Sequence, residues 1–463
     1  MISLLRRIKF TLLSFFFLAL LVFISCGQGR RELKHEEIRV EAPFAMPPIK
    51  VPEFSECDDF SITDFGAVEK EKISTTKAIS QAIAAASDAG GGRVIIPAGE
   101  WFSGKIHLKS NVNLHLSEGA ILTFSGDPQD YLPAVHTTWE GIECYNYSPL
   151  IYAYKCENVA ITGAGQLKAE MGVWKRWFAR PPAHMNSLKK LYHMAAKGVA
   201  VQERVMVNDT SHLRPQFIQF NRCKNVRMEG VTIINSPFWV IHPYMCHNVV
   251  IRNVKVYAHG HNNDGVDPEM CENVLIEDCV FDQGDDAIAI KSGRNQDAWR
   301  LNTPSRNIVV RNCLVKNGHQ LLAIGSELSG GVENVFLENC TVEENARMFH
   351  LVFIKTNERR GGYVKNVYVR NVTADKMSQG ILGIDTDVLY QWRDLVPTYE
   401  KRLTPISDVY LTDIKANKVN FLSRILAQDA LPVKNIRLKN IRVEQITGEK
   451  LIHNNVVNFQ LEE

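Results

Sequence analysis

One short phrase returns throughout this chain: asparagine, then valine or isoleucine, then alternating residues, then a second asparagine or aspartate. It reads "KNVRMEGVTI", "HNVVIRNVKV", "ENVLIEDCVF", "RNIVVRNCLV", "ENVFLENCTV", "KNVYVRNVTA", "SDVYLTDIKA" and "KNIRLKNIRV". The first key residues are Asn225, Asn248, Asn273, Asn307, Asn334, Asn366, Asp408 and Asn435, spaced by 23, 25, 34, 27, 32, 42 and 27 residues. Weaker copies begin at Asn111 and Asn158. Short strands of period two repeated about every 25 residues define a solenoid. No copy can bury its apolar face alone. Stacking at about 4.8 Å per coil lets each backbone group pair with the next coil. Asparagine at a fixed turn tolerates the left-handed backbone and can bond along the stack. The chain is therefore predicted to be all-β, a single-stranded parallel β-helix, right-handed by the general crossover preference.

A solenoid needs its ends covered. "STTKAISQAIAAASDAGGG" supplies a short N-terminal capping helix, with Ser74 as cap, Ile79, Ala82, Ile83 and Ala86 on one face, and Gly90 as the stop. The composition, 45% hydrophobic and 22% charged with net charge +2, suits a large globular core and gives no pull toward nucleic acid. Cys223, Cys246, Cys271, Cys279, Cys313 and Cys340 recur at similar places in the copies, without CxxC or Cys/His metal spacing. They read as small buried stack residues.

The first 25 residues stand apart. Arg6, Arg7 and Lys9 precede an apolar run from Phe10 to Ile24, which is short for a membrane span and has signal-peptide flanks. The run ends in "FISC", which resembles a bacterial lipoprotein signal with Cys26 lipidated. A plain secretory signal with an incidental cysteine is the alternative. Either reading implies export from a bacterial cytoplasm, as an outer-membrane-anchored lipoprotein or a periplasmic protein. Residues 26–55, charged and then Pro-rich, are predicted to be a tether, and residues 56–463 the β-helix domain. A monomer is expected.

Departures from a monotonous repeat mark where function intrudes. Three neighbouring coils depart: "NNDGVD" with Asp264, "GDDAIAIKSG" with Asp285 and Asp286, and "NGHQLLAIGSE" with His319. Asp264 to Asp285 is 21 residues, close to one coil, and His319 lies 34 beyond. Residues one coil apart sit above one another, so all four should share one lateral face, with Lys355 of "FIKT" following. Strict alternation would split Asp285 from Asp286, and Gly284 offers a kink that aims both outward. A carboxylate-lined cleft suits glycoside hydrolysis, where one acid is protonated and another activates water. Crowded like charges raise one pKa and so create the acid. Basic residues that follow these strands, Lys291 and Lys355 foremost, with Arg294, Arg359 and Arg360, would pair with an acidic sugar.

These residues resemble glycoside hydrolase family 28, the polygalacturonase and exo-galacturonidase family. "DFGA" at Asp64–Ala67, "GGGRVIIPAGEWFSGKIHLKSNVNLHLSEGAIL" and "NSPFWVIHP" resemble its earlier segments. Its site motifs, Asn-Thr-Asp, Gly/Gln-Asp-Asp, Gly-His-Gly and Arg-Ile-Lys, stand here as Asn262-Asn263-Asp264, Gly284-Asp285-Asp286, Gly318-His319-Gln320 and Phe353-Ile354-Lys355. The resemblance implies an inverting hydrolase without metal or other cofactor. It makes Asp285 the general acid and gives Asp264 and Asp286 the water. It has His319 tune the acid, and Lys355 bind a substrate carboxylate. Phe353 in place of arginine removes a bidentate partner for a carboxylate. One subsite is then expected to take something other than plain galacturonate, or to hold it through another basic residue.

Asn158 to Asn225 spans 67 residues, far beyond one coil, and carries Trp174, Trp177, Phe178 and Arg180. A second excursion carries Tyr390, Trp392 and Arg393. Such loops can wall off a groove and favour exo cutting. Asn262, Trp239, His242 and Arg214 complete the predicted substrate contacts. The leading expectation is an exo-acting enzyme on α-galacturonosyl linkages of pectic oligosaccharides. A rhamnogalacturonan hydrolase of the same family, a β-helix polysaccharide lyase and a non-catalytic binding solenoid are the alternatives.

Overall fold

The computed structural model describes residues 33–208, 210–388 and 400–463. Cys26 and the segment with Tyr390, Trp392 and Arg393 lie outside the described residues. From Lys34 onward the chain is a right-handed parallel β-helix. The repeats read from the sequence are its coils. Asn225 bonds back to Asn158 at 2.9 Å, Asn248 to Asn225 at 3.0 Å, Asn307 to Asn273 at 3.0 Å and Asn334 to Asn307 at 3.0 Å. Each repeat asparagine holds a positive φ, from 56° to 62° for Asn111, Asn158, Asn225, Asn248, Asn273, Asn307, Asn334 and Asn366. The second polar residue of the phrase does the same at Asn253, Asp278, Asn312, Asn339 and Asn371. Asparagine is chosen twice per coil because its short side chain tolerates this backbone and its amide offers both a donor and an acceptor to the neighbouring coils.

The core runs the length of the solenoid, filled by valine, isoleucine and leucine with the buried cysteines among them. Each of the six repeat cysteines points its sulfur at a backbone carbonyl, as Cys246 does to Phe220 at 3.0 Å. At the N-terminal end the helix Lys72–Asp88 lays Ile79, Ala82, Ile83 and Ala86 over the first coils. Its cap position is Glu71 and not Ser74, which sits inside the first turn.

The predicted tether is corrected from Lys34 on. Lys34–Ile38 and Ile49–Glu53 form an antiparallel hairpin. It buries Ile38, Ile49 and Val51 against Val250, Leu275, Val309 and Phe336 on the outside of one sheet. Those four stand at outward positions, so the runs "VVI", "VLI" and "IVV" are apolar on both faces because a second segment covers them.

One sheet positions the site. Its strands Ile218–Asn221, Ile241–Tyr244, Ile288–Ile290, Gln320–Gly325, His350–Lys355, Gly380–Asp385 and Phe421–Leu426 stack in parallel, with bridges at Val266 and Glu269 carrying the register between them. Ile241, Val266, Ile288, Leu322 and Val352 face the core in one row.

Candidate active site

Asp264, Asp285 and His319 fall where three successive coils turn into this sheet. The Gly265 amide donates to the Asp286 carbonyl at 2.9 Å, and the His319 amide to the Asp285 carbonyl at 2.8 Å, so neighbouring turns are bolted together. The pair Asp285-Asp286 is not inside a strand. It occupies the bend between Val280–Gln283 and Ile288–Ile290, where alternation does not operate. Both Ala287 and Ile288 then turn into the core, which leaves Asp285 and Asp286 together on the outside. Gly284 contributes by close approach: a Cβ there would stand 2.6 Å from the Gly260 carbonyl oxygen of the coil before.

The side chains converge on a cleft of about 620 Å³ lined by Asp264, Asp285, Asp286, His319, Lys355, Lys291, Trp239 and Asn262. His319 Nδ1 lies 3.1 Å from Asp285 Oδ1, and Lys355 Nζ donates to Asp286 Oδ2 at 2.8 Å. Lys291 is buried over the Trp239 ring at 4.6 Å, and its ammonium lies 3.4 Å from Asp264, 3.5 Å from Asp267 and 3.5 Å from Glu327. Asp264 Oδ1 and Asp286 Oδ1 are buried with no hydrogen-bond donor among the described residues. Leaving a buried acceptor unpaired costs about 1–3 kcal/mol. Two such oxygens in one cleft are a stored demand for a ligand hydroxyl.

Electrostatics separates the carboxyls. Burial raises Asp264 to about 7, aided by the charges of Asp285 and Asp286 and opposed by Lys291 and Lys355. Burial lifts Asp267 well above the ordinary range, with Asp264 adding to it. Burial also raises Asp286 against the pull of Lys355. At Asp285 burial works in the same direction, but the hydrogen bond and charge of His319 outweigh it and hold the group below its usual value. In turn burial would lower His319, and Asp285 raises it instead. The two shifts are one interaction seen from both sides, Asp285 and His319 each favouring the other's charged form.

An oxygen each of Asp285 and Asp286 and a ring nitrogen of His319 lie within 4.8 Å of one another, a spacing that could hold a cation. One member of that group, Asp286, is paired with the Lys355 ammonium at 2.8 Å.

Two predicted substrate contacts are corrected. His242 is fully buried, wedged between Gln219 at 3.1 Å and Glu269 at 2.8 Å beneath the Trp239 ring, and does not line the cleft. Arg214 is 1% exposed. Its guanidinium is sandwiched between Phe178 and Phe238 and donates to the carbonyls of Pro237 and His261, both at 2.7 Å, and to Asn262 at 3.1 Å. It props the turn that presents Asn262. Asp267 supports Lys291 from below, and Asp282 takes Asn317 at 2.9 Å.

The cleft also contains groups that sequence reasoning did not select: Glu140, Glu327, His350, Phe349, Gln379 and Arg424. Glu140 comes from the hairpin Val135–Trp139 and Ile142–Asn146, whose turn lies against Arg294. Lys291 directly follows Ile290, whereas Glu327 lies three residues beyond Ile324, the register partner of Ile290, so spacing along the chain did not flag it. The long insertion is helical, Gly172–Arg176 and Pro182–Ala196, with Trp174 and Trp177 in the core and Arg180 at the cleft.

A parallel β-helix carrying stacked acidic turns on one outer face is the architecture of carbohydrate-active solenoids. The model of glycosyl hydrolases family 28 matches residues 196–460, and the chain belongs to that family. A hyperthermoactive exopolygalacturonase from Thermotoga maritima superposes with TM-score 0.79 at 38% identity, covering 89% of this chain and 94% of that one. A probable polygalacturonase from Vitis vinifera is 30% identical over 68% of this chain and 61% of its own length. An exo-poly-alpha-D-galacturonosidase from Dickeya chrysanthemi is 28% identical over 62% of this chain and 50% of its own. The chain thus spans half to three-fifths of the length of these two curated relatives.

Proposed function

We propose that the protein is an inverting hydrolase that removes single galacturonic acid units from the ends of pectic oligosaccharides. The observation that carries the chemistry is the pair of buried, donor-less oxygens, Asp264 Oδ1 and Asp286 Oδ1, beside an Asp285 carboxyl 3.1 Å from His319 Nδ1. A water between Asp264 and Asp286 donates to both oxygens and passes a proton to Asp264 as its oxygen attacks the anomeric carbon; Asp264, lifted to about 7, serves in its ionised form. Asp285 is the most exposed of the three carboxylates, 22% against 5% and 1% for the side chains, and meets the leaving glycosidic oxygen. The proton it delivers is the one shared with His319. One bond forms and one breaks at the same carbon from opposite faces, which inverts it.

The exo reading is supported by what covers the sheet on the N-terminal side of Asp264. Thr137 bonds to Gln219 at 2.9 Å, Gln216 to the Thr138 carbonyl at 3.0 Å and Asn221 to the His136 carbonyl at 3.0 Å. This hairpin, backed by the helix Pro182–Ala196, lies over the outward faces of the preceding coils and fills the groove there. A polymer enters from the C-terminal side and stops. The similarity to the Thermotoga maritima exopolygalacturonase supports the same reading. The basic, apolar start ending in Cys26 supports export with a lipid anchor.

The test is the first product from defined oligogalacturonates and rhamnogalacturonan fragments. Single galacturonic acid units are expected. Mid-chain fragments would replace exo with endo action, and turnover of rhamnogalacturonan alone would move the assignment to the family's other substrate, which Phe353 favours. Asp285→Asn is expected to lower kcat at least 10²-fold, the usual scale for losing a general acid.

A further inference from the structure

Most cations lining the cleft have a carboxylate close at hand. Lys291 is shared among Asp264, Asp267 and Glu327, and Lys355 is on Asp286. Arg294 pairs with Glu327 and Glu140. Arg424 differs. Among the described residues it makes one ion pair, with Asp385 at 3.9 Å, too long for a hydrogen bond, and its side chain is 38% exposed.

Register says what Arg424 stands beside. Phe353, Gly383 and Arg424 occupy one outward row on three successive strands. The Phe353 ring lies flat on His350, centroids 4.4 Å apart and planes 9° apart. Both rings lean over Gly383: a Cβ there would stand 2.8 Å from the Phe353 ring and 2.9 Å from His350. Gly383 puts no side chain in the row between the ring pair and Arg424, and Phe353, His350 and Arg424 all line the cleft on the C-terminal side of Asp285 and Asp286. Burial holds His350 neutral, its pKa pushed down to about 3, so it adds no competing charge.

We infer that Arg424 is the specificity-determining residue of this subsite. It takes the carboxylate of the uronic acid unit next to the scissile bond on the C-terminal side, while the flat face of that sugar rests on Phe353 and His350. A guanidinium offers a carboxylate two parallel hydrogen bonds, and a ring face offers the sugar's C–H surface an apolar floor. The inference rests on the galacturonide reading and names the group that recognises the acid.

The experiment compares wild type, Arg424→Ala, Arg424→Gln and Arg424→Lys on oligogalacturonates and on the same oligomers methyl-esterified. Arg424→Ala and Arg424→Gln are expected to raise KM for the acid 10- to 100-fold with kcat within about threefold, to lose the preference for acid over ester, and to be rescued in part by lysine. Oligogalacturonate binding measured calorimetrically in an Asp285→Asn background should weaken by the same factor when Arg424→Ala is added. If wild type cleaves oligogalacturonate and both neutral variants match it in KM and in acid-to-ester preference, the assignment of Arg424 is overturned and the enzyme's function is not. If wild type leaves oligogalacturonate intact, both fall.

Discussion

At the scale of single residues, the site is a problem in where one proton resides. Three buried carboxyls, Asp264, Asp267 and Asp286, and the half-buried Asp285 face two lysines and His319, so they cannot all be ionised cheaply. His319 ionises above its ordinary 6.5 because Asp285 holds its proton, and Asp285 is correspondingly held down. Catalysis by the pair needs that shared proton, so activity should be present below the pair's upper ionisation and lost as pH rises through it. In the protein that alkaline limb lies above 6.5. His319→Asn removes the reservoir, and the limb of kcat should then move to lower pH, with kcat at its optimum reduced about 10-fold or more. A kcat–pH profile with an unmoved alkaline limb would show that His319 only shapes the site. Asp264, Asp285, Asp286, His319 and Lys355 were all legible as candidates because they interrupt the repeat. His242 and Arg214 were misread for one shared reason. Polar residues near such a site are needed in equal measure to hold it up, and sequence does not tell a prop from a contact.

At the scale of the coil, the two asparagine rows fix the solenoid. Each asparagine holds a left-handed backbone and bonds its neighbour above and below, as Asn248 does to Asn225 and receives from Asn273. Asn248→Ala loses both contributions and should destabilise the fold by about 2–3 kcal/mol. Asn248→Gly keeps the backbone preference and should cost about 1 kcal/mol less. Thermal melts of the two variants against wild type measure the difference, and equal losses would mean that the ladder bonds and not the backbone matter. The repeat phrase revealed these rows. Gly284 marked the kink, but not that Asp285-Asp286 lies outside any strand, because a corner and a strand look alike in a run of small and β-branched residues.

At the scale of the whole molecule, added segments turn a repeating cylinder into an asymmetric one. The hairpin at Val135–Asn146 and the helix Pro182–Ala196 pack over coils that precede the site, and the N-terminal hairpin covers another face altogether. Removing residues 1–54 would expose Val250, Leu275, Val309 and Phe336 while leaving the cleft intact. Burying Ile38, Ile49 and Val51 is worth about 1.5–3 kcal/mol each as an upper bound. The truncated protein should therefore melt several degrees lower and associate, yet retain its kcat. Unchanged melting would mean that the hairpin packs without stabilising. What the sequence determined alone was the coil and the convergence of three aspartates, from the recurrence of the repeat; the coil's handedness, from the crossover preference; and its capping helix, from one apolar face. What only the tertiary structure decided was which outward positions stay open: which coils the hairpins cover, which cations already have a carboxylate, and that Gly383 leaves no side chain in the row between Phe353 and Arg424. Those depend on segments meeting across coils without any period, and no spacing along the chain records such meetings.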